Sequence, residues 1–118
     1  MKVIIDLIED LEQSIQNQED FVMGVICLDS NEENMVALWG QAISHFEINH
    51  DKKEMHFFVG STPIKVKDFL EATKDFDNKE LMYSIFVSTQ DNPSSAASAL
   101  LGFSEVLESK QYRLLIVE

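Results

Sequence analysis

The sequence predicts an α/β or α+β fold: a single mixed β-sheet of about five strands with packed helices, built as one domain over residues 1–118. Three observations lead there. The opening stretch "VIIDLIEDLEQSIQ" repeats its apolar residues at helical spacing. The run "FVMGVICL" has no polar alternation, as in a central strand buried on both faces. "HFEINHDKKEMHFFVG" places two strand-like runs around the polar turn "NHDKK", the pattern of a hairpin. With 118 residues, 45% of them hydrophobic, the chain can fill one ordinary core and not two.

The expected order of elements is α-β-α-β-β-α-β-α-β. In the first helix Ile4, Ile8, Leu11 and Ile15 share one arc, and Asp6, Glu9, Asp10 and Gln13 lie on another. A strand over "KVIID" competes with that helix, because Val3, Ile4 and Ile5 are all β-branched. After the apolar run, Ser30 and Glu33 have the spacing of a capping box, and Met35, Leu38, Trp39, Ala42, Ile43 and Phe46 continue a helical stripe. Gly40 within it costs about 1 kcal/mol relative to alanine. Beyond the hairpin and "GSTP", the residues Val66, Phe69, Leu70 and Thr73 mark a third helix, broken by "DNK" before the strand "ELMYSIFVST". "DNPSSAASALLGFSEVLESK" reads as a fourth helix, with Asn92 as its cap, Pro93 at its first position, and Ala96, Ala97, Ser98 and Ala99 small enough to lie close on a sheet. "YRLLIVE" closes as a strand. No repeat, linker or low-complexity segment is visible.

Charge is the outlying property. Twenty-one acids against nine bases give a formal −12, beyond the magnitude of about 2 to 8 that suits a small soluble domain. Residues 1–51 hold 11 acids and only Lys2 as a base, a net −10; residues 52–118 hold 10 acids and 8 bases, a net −2. A field of that sign repels nucleic acid and anionic membrane and attracts basic surfaces. The N-terminus carries acids where a signal peptide would be apolar, and no run approaches about 18 apolar residues, so a cytoplasmic location is expected. The single cysteine, Cys27, excludes an internal disulfide and is expected as a small buried hydrophobe.

Catalytic and ligand motifs fail on spacing. In "DSNEEN" the residues Asp29, Asn31 and Glu33 fill the first three ligand positions of a calcium loop, but Asn34 stands where glycine is needed and Gly40 where a bidentate glutamate is needed. His45, His50 and His56 with Asp51 match no zinc signature. "VGSTPIK" lacks the second glycine and the glycine-lysine-threonine ending of a phosphate loop, and the anion seat that "NPSSAAS" offers at a helix start is at odds with so acidic a chain. Cys27 has no electropositive neighbours to activate it, and with 21 acids a pair of carboxylates singles out none. No metal, no cofactor and no enzymatic activity are expected, and no direct nucleic-acid binding either.

The carboxylates remain. Helix neighbours three or four apart hold their Cβ atoms about 5–6 Å apart, comparable to phosphates that rise about 3.4 Å per nucleotide along a strand and also travel sideways. If Asp6, Glu9, Asp10, Glu19, Asp20, Asp29, Glu32 and Glu33 share a face, that face imitates a row of phosphates, with Gln16, Gln18, Asn31 and Asn34 fixing register. The expected partner is a basic DNA- or RNA-binding protein such as a histone-like nucleoid protein, a regulator or a nuclease, and the expected activity is a non-enzymatic DNA mimic that inhibits or regulates it, with a monomer favoured. "EENMVALWGQAI" resembles the helix of barstar-type ribonuclease inhibitors over about a dozen residues; the order of elements departs from that family, and the resemblance implies only an inhibitor-type role. An immunity protein for one nuclease toxin and a small dimeric secretion chaperone are the alternatives, and an enzyme or small-ligand module would require a pocket with convergent polar groups.

Overall fold

The computed structural model describes residues 2–16, 19–29, 36–88 and 98–117. These form a mixed α+β fold of helix α1 (Ile4–Ser14), strands β1 (Val22–Leu28), β2 (Ala37–Asn49) and β3 (Glu54–Gly60), helix α2 (Val66–Thr73), a 3-10 turn at Glu80–Met82, and strands β4 (Ser84–Ser88), β5 (Ser98–Val106) and β6 (Gln111–Val117). The six strands pair in sequence order and close into a barrel, because β6 returns to lie parallel beside β1. The other parallel contact joins β3 to β4, and the remaining pairs are antiparallel.

Alternation along the strands sends one set of side chains inward. Met23, Val25 and Cys27 from β1, Ile43 from β2, Met55, Phe57 and Val59 from β3, Ile85 and Val87 from β4, and Tyr112, Leu114 and Ile116 from β6 are buried together. Cys27 is thus the small buried hydrophobe expected of it. Each helix adds its apolar stripe to that core: Ile4, Leu7 and Leu11 from α1, Val66, Phe69 and Thr73 from α2. Phe69 reaches Phe46 of β2 and Phe57 of β3, with ring centroids 5.3 Å and 5.6 Å away.

The chain is two αβββ halves built to one plan. Advancing the ring of strands by three places maps β1 on β4, β2 on β5 and β3 on β6 with directions kept, which is an approximate twofold along the barrel axis. Backbone contacts repeat in detail. Val3 bridges Ser84, and Lys65, 62 positions later than Val3, bridges Val22, 62 earlier than Ser84. Ile4 N–H donates to Tyr83 O at 3.1 Å as Val66 N–H donates to Phe21 O at 3.0 Å; Ile85 N–H to Lys2 O at 3.3 Å matches Met23 N–H to Ile64 O at 2.9 Å. The two hairpin turns each hold a left-handed lysine, Lys53 (φ 57°) and Lys110 (φ 53°), whose carbonyls accept from Ser84 N–H at 3.1 Å and Val22 N–H at 3.0 Å.

The element order corrects the expected one at two places, both strands where the sequence suggests helices. Residues 37–46 belong to β2, so the described part of the barstar-like stretch is extended, and residues 98–106 are β5. Both errors have the same cause. In β2, Ile43 pairs with Val59 and His45 with Phe58, leaving Ser44 as a bulge. Trp39 and Ile43 face the core before the bulge, Phe46 and Ile48 after it, and the inserted residue makes the step from Ile43 to Phe46 three, as on a helix face. In β5, Leu100 pairs with Ile116 and Gly102 with Leu115, and Leu100 and Phe103 are then three apart on one face. The sheet accordingly has six strands rather than about five. The capping residues Ser30 and Glu33, most of the calcium-loop pattern, and the Asn92–Pro93 helix start with its small residues through position 97 lie outside the described residues.

Candidate functional site

The strand directions give the barrel two ends. One carries the α1–β1 connection, both hairpin turns and the approach to β4; the other carries the ends of β1, β3, β4 and β6. Asp6, Glu9 and Asp10 lie on α1 and Glu19 and Asp20 just before β1, all at the first end. Asp29 follows β1, a strand of seven residues whose rise of about 3.3 Å per residue puts it some 20 Å from Asp20 along the barrel. Glu32 and Glu33 lie outside the described residues. The structure therefore gathers five of the eight carboxylates at one end and puts Asp29 at the other.

Several of the five already have structural work. Asp6 Oδ2 accepts a hydrogen bond from Val3 N–H at 3.0 Å at the start of α1, where a negative charge also suits the helix dipole. Asp10 accepts from the Tyr112 hydroxyl. Burial first, then that bond and the Asp10 charge, hold the Tyr112 phenol far above its usual range. Glu19 pairs with Lys67 at 3.7 Å and Asp20 with Lys110 at 3.5 Å, between side chains that are all about half exposed or more; such bridges are worth about 0–1 kcal/mol and exchange readily. Glu9 and Glu12 are exposed on a helix with no basic residue.

Among the described residues, two of the hollows lie on the outside of the strands. A groove of about 300 Å³ crosses β1, β2 and β6, with Gly24, Gly40 and Ile26 on its floor and Gln41, Gln111 and Arg113 around it. Arg113 Nε donates to Gln111 Oε1 at 2.9 Å. A second, shallower hollow of about 580 Å³ follows the β2–β3 hairpin past Glu47, His50, Asp51 and His56. There His50 Nδ1 lies 3.1 Å from the Tyr83 hydroxyl, His56 pairs with Glu54 at 3.0 Å, and His45 stacks on Phe58. The three histidines thus sit apart on separate partners, and among the described residues no three His, Cys, Asp or Glu side chains form a metal-binding group.

Sequence reasoning missed the groove altogether. Its residues come from positions 24, 40 and 113, brought together by the β1–β2 pairing and by ring closure of β6 on β1; the one signal available was an arginine standing alone among lysines. Among the described residues no helix is long and apolar enough to cross a membrane. Compared with family models, curated proteins and solved structures, the chain matches none.

Proposed function

We propose that this protein is a non-enzymatic inhibitor or regulator that binds a basic nucleic-acid-binding protein through the carboxylates of its first half, in the manner of a DNA mimic. The observation that carries the reading is the net −10 of residues 1–51, together with the collection of Asp6, Glu9, Asp10, Glu19 and Asp20 at one barrel end. Glu9 and Glu12 on α1 offer exposed charge one helical turn apart. Glu19 and Asp20 exchange weak internal bridges for a partner's lysines and arginines at little cost. Asp29 extends the contact if the partner reaches the other end.

The test separates contact from scaffold. Native lysate is passed over the immobilised protein at low salt and eluted with a salt gradient; a basic nucleic-acid-binding protein released at moderate salt and displaced by added duplex DNA supports the reading. The combined variant Glu9→Gln, Glu19→Gln, Asp20→Asn, which leaves the Asp6 cap and the Asp10–Tyr112 bond in place, should weaken that partner at low salt by about tenfold or more. Retention of no basic protein, or full affinity in the triple variant, would refute it.

A further inference from the structure

The two parallel seams of the barrel present equivalent positions to solvent, and one is filled where the other is hollow. Across β3–β4, Phe86 lies opposite His56, and the two rings stack with centroids 5.4 Å apart and planes 25° from parallel. Across β6–β1, the residue in the place of Phe86 is Gly24 and the residue in the place of His56 is Arg113. The stem of Arg113 leans over Gly24, its Cγ 3.9 Å from where a Cβ would stand. Beside it the groove of about 300 Å³ remains open.

The two glycines on its floor have different reasons to be there. A Cβ on Gly24 would stand 3.2 Å from the Gln41 carbonyl oxygen, so the close approach of β2 accounts for it. Gly40 has no such reason: its φ is not positive, and a Cβ there would meet Ile26 Cδ1 at 3.4 Å, an ordinary contact. Glycine weakens a strand interior and marks places where something else comes close. Arg113 is the only arginine in a chain with 21 acids, yet among the described residues it makes no ion pair. Its hydrogen bond to Gln111 holds the guanidinium as a fixed plate at the edge of the groove.

We propose that this groove seats one aromatic side chain of a partner polypeptide, laid over Gly40 and against the Arg113 guanidinium. The chain builds the same kind of pairing for itself at the other seam, where Phe86 rests on a nitrogen-containing plane, and a guanidinium is the better partner for a ring face. A hollow of this size lies at the lower limit for whole ligands and suits a single ring. The net −12 disfavours an anion at Arg113. A polypeptide rather than a free ring is indicated by Val36 and Leu38, 55% and 48% exposed, two large apolar side chains on the segment that leads into Gly40, at the irregularity in the β1–β2 pairing. The proposal goes beyond the carboxylate reading and stands without it, since none of the acids assigned there touches the groove.

The full chain, labelled with 15N, is titrated by NMR with N-acetyl-tryptophan amide, N-acetyl-leucine amide, sodium acetate and the capped pentapeptide Leu-Ala-Trp-Ala-Leu. The tryptophan amide should shift the backbone amides of Gly24, Gly40 and Gln41 and the Arg113 Nε–H, and bind about fivefold more tightly than the leucine amide. The pentapeptide should gain about a further fivefold by reaching Leu38 and Val36, and acetate should leave Arg113 unmoved. Gly40→Val, which fills the floor with a strand-favouring side chain, should remove the response, and Arg113→Met should weaken it while keeping the groove's shape. Acetate shifting Arg113 as strongly would make this an anion site; equal leucine binding, a generic apolar patch; a pentapeptide no tighter than the amide, a site for a free ring; an unaffected Gly40→Val, a different site. Any of these overturns the proposal.

Discussion

The two halves of this barrel share a backbone plan and almost nothing else. In the second half, α2 is anchored by an aromatic cluster in which Phe69 touches Phe46 and Phe57. In the first, the position of Phe69 is taken by Leu7, and α1 is held by Leu7, Leu11 and Ile15, each at most 1% exposed, and by the Asp10–Tyr112 hydrogen bond. Where α1 buries Leu11, α2 buries Thr73, whose hydroxyl donates to Phe69 O at 3.0 Å within its own helix. The fold thus specifies which positions point inward and how the backbone pairs, and leaves the filling chemistry of each half free. That freedom lets the charge be uneven: residues 1–62, through β3, net −9 and residues 63–118 net −3.

The largest expected effect uses that contrast directly. Leu11→Ala removes buried methyl groups from a helix–barrel contact and should cost about 2–5 kcal/mol. Thr73→Ala at the equivalent place removes one methyl and a local hydroxyl bond and should cost about 1 kcal/mol. Urea unfolding of both variants tests it; equal losses would refute the difference in how the two helices are anchored.

The next effect belongs to the first half alone. Tyr112→Phe removes the hydrogen bond to Asp10, and the loss of a bond to a charged acceptor should cost about 1.5 kcal/mol or somewhat more. The pH dependence has a definite sign. The folded state holds the phenol proton more tightly than the unfolded chain, so this contribution is complete below the ordinary tyrosine pKa of about 10 and is lost as pH rises beyond it. Wild type should lose stability above that pH more steeply than Tyr112→Phe in parallel denaturation curves, and superimposable alkaline limbs would refute the assignment.

Much of this was legible from the sequence where a single period governs an element. The α1 stripe, the apolar β1 run and the hairpin around Asn49–Lys53 were readable because their side-chain spacing is uninterrupted. The two bulged strands were not: one extra residue at Ser44 and another at position 101 converts strand alternation into helix-like intervals. The twofold stayed hidden for a related reason. Equivalent residues are 62 apart up to β1, as in Val3 and Lys65, but 57 apart at the hairpin lysines Lys53 and Lys110, so no fixed offset aligns the halves. Identities agree at Asp6 and Asp68 or Glu9 and Glu71, and diverge at Leu11 and Thr73. Of the acids, their number was readable and their occupations were not, since Asp10 finds Tyr112 102 residues away.

The two floor glycines sharpen the seam comparison at a smaller scale. Gly24→Ala forces a Cβ to 3.2 Å from the Gln41 carbonyl and should destabilise by about 1 kcal/mol through local overpacking. Gly40→Ala meets only ordinary contact and should stabilise by about 0.5–1 kcal/mol through the lower entropy of the unfolded chain. Thermal unfolding of the pair gives opposite shifts in Tm, and two shifts of the same sign would remove the distinction between them.

The smallest effect tests the twofold itself. Lys53 and Lys110 both occupy left-handed backbone, which costs an ordinary residue about 1 kcal/mol and glycine almost nothing. Glycine also gives the unfolded chain more freedom, so each lysine-to-glycine change should leave a net gain of only a few tenths of a kcal/mol. The carbonyl at each turn still accepts from the first residue of the neighbouring strand, and that closure should survive both changes. The two gains should nevertheless differ, because Lys110 also pairs with Asp20 at 3.5 Å across the surface, a contact worth about 0–1 kcal/mol that Lys110→Gly gives up. Denaturation at low and high salt separates the terms: Lys53→Gly should be stabilised equally in both, and Lys110→Gly should approach it as salt screens the lost bridge. A persistent gap at high salt would mean that the two turns are not conformationally equivalent, and that the twofold ends before it reaches them.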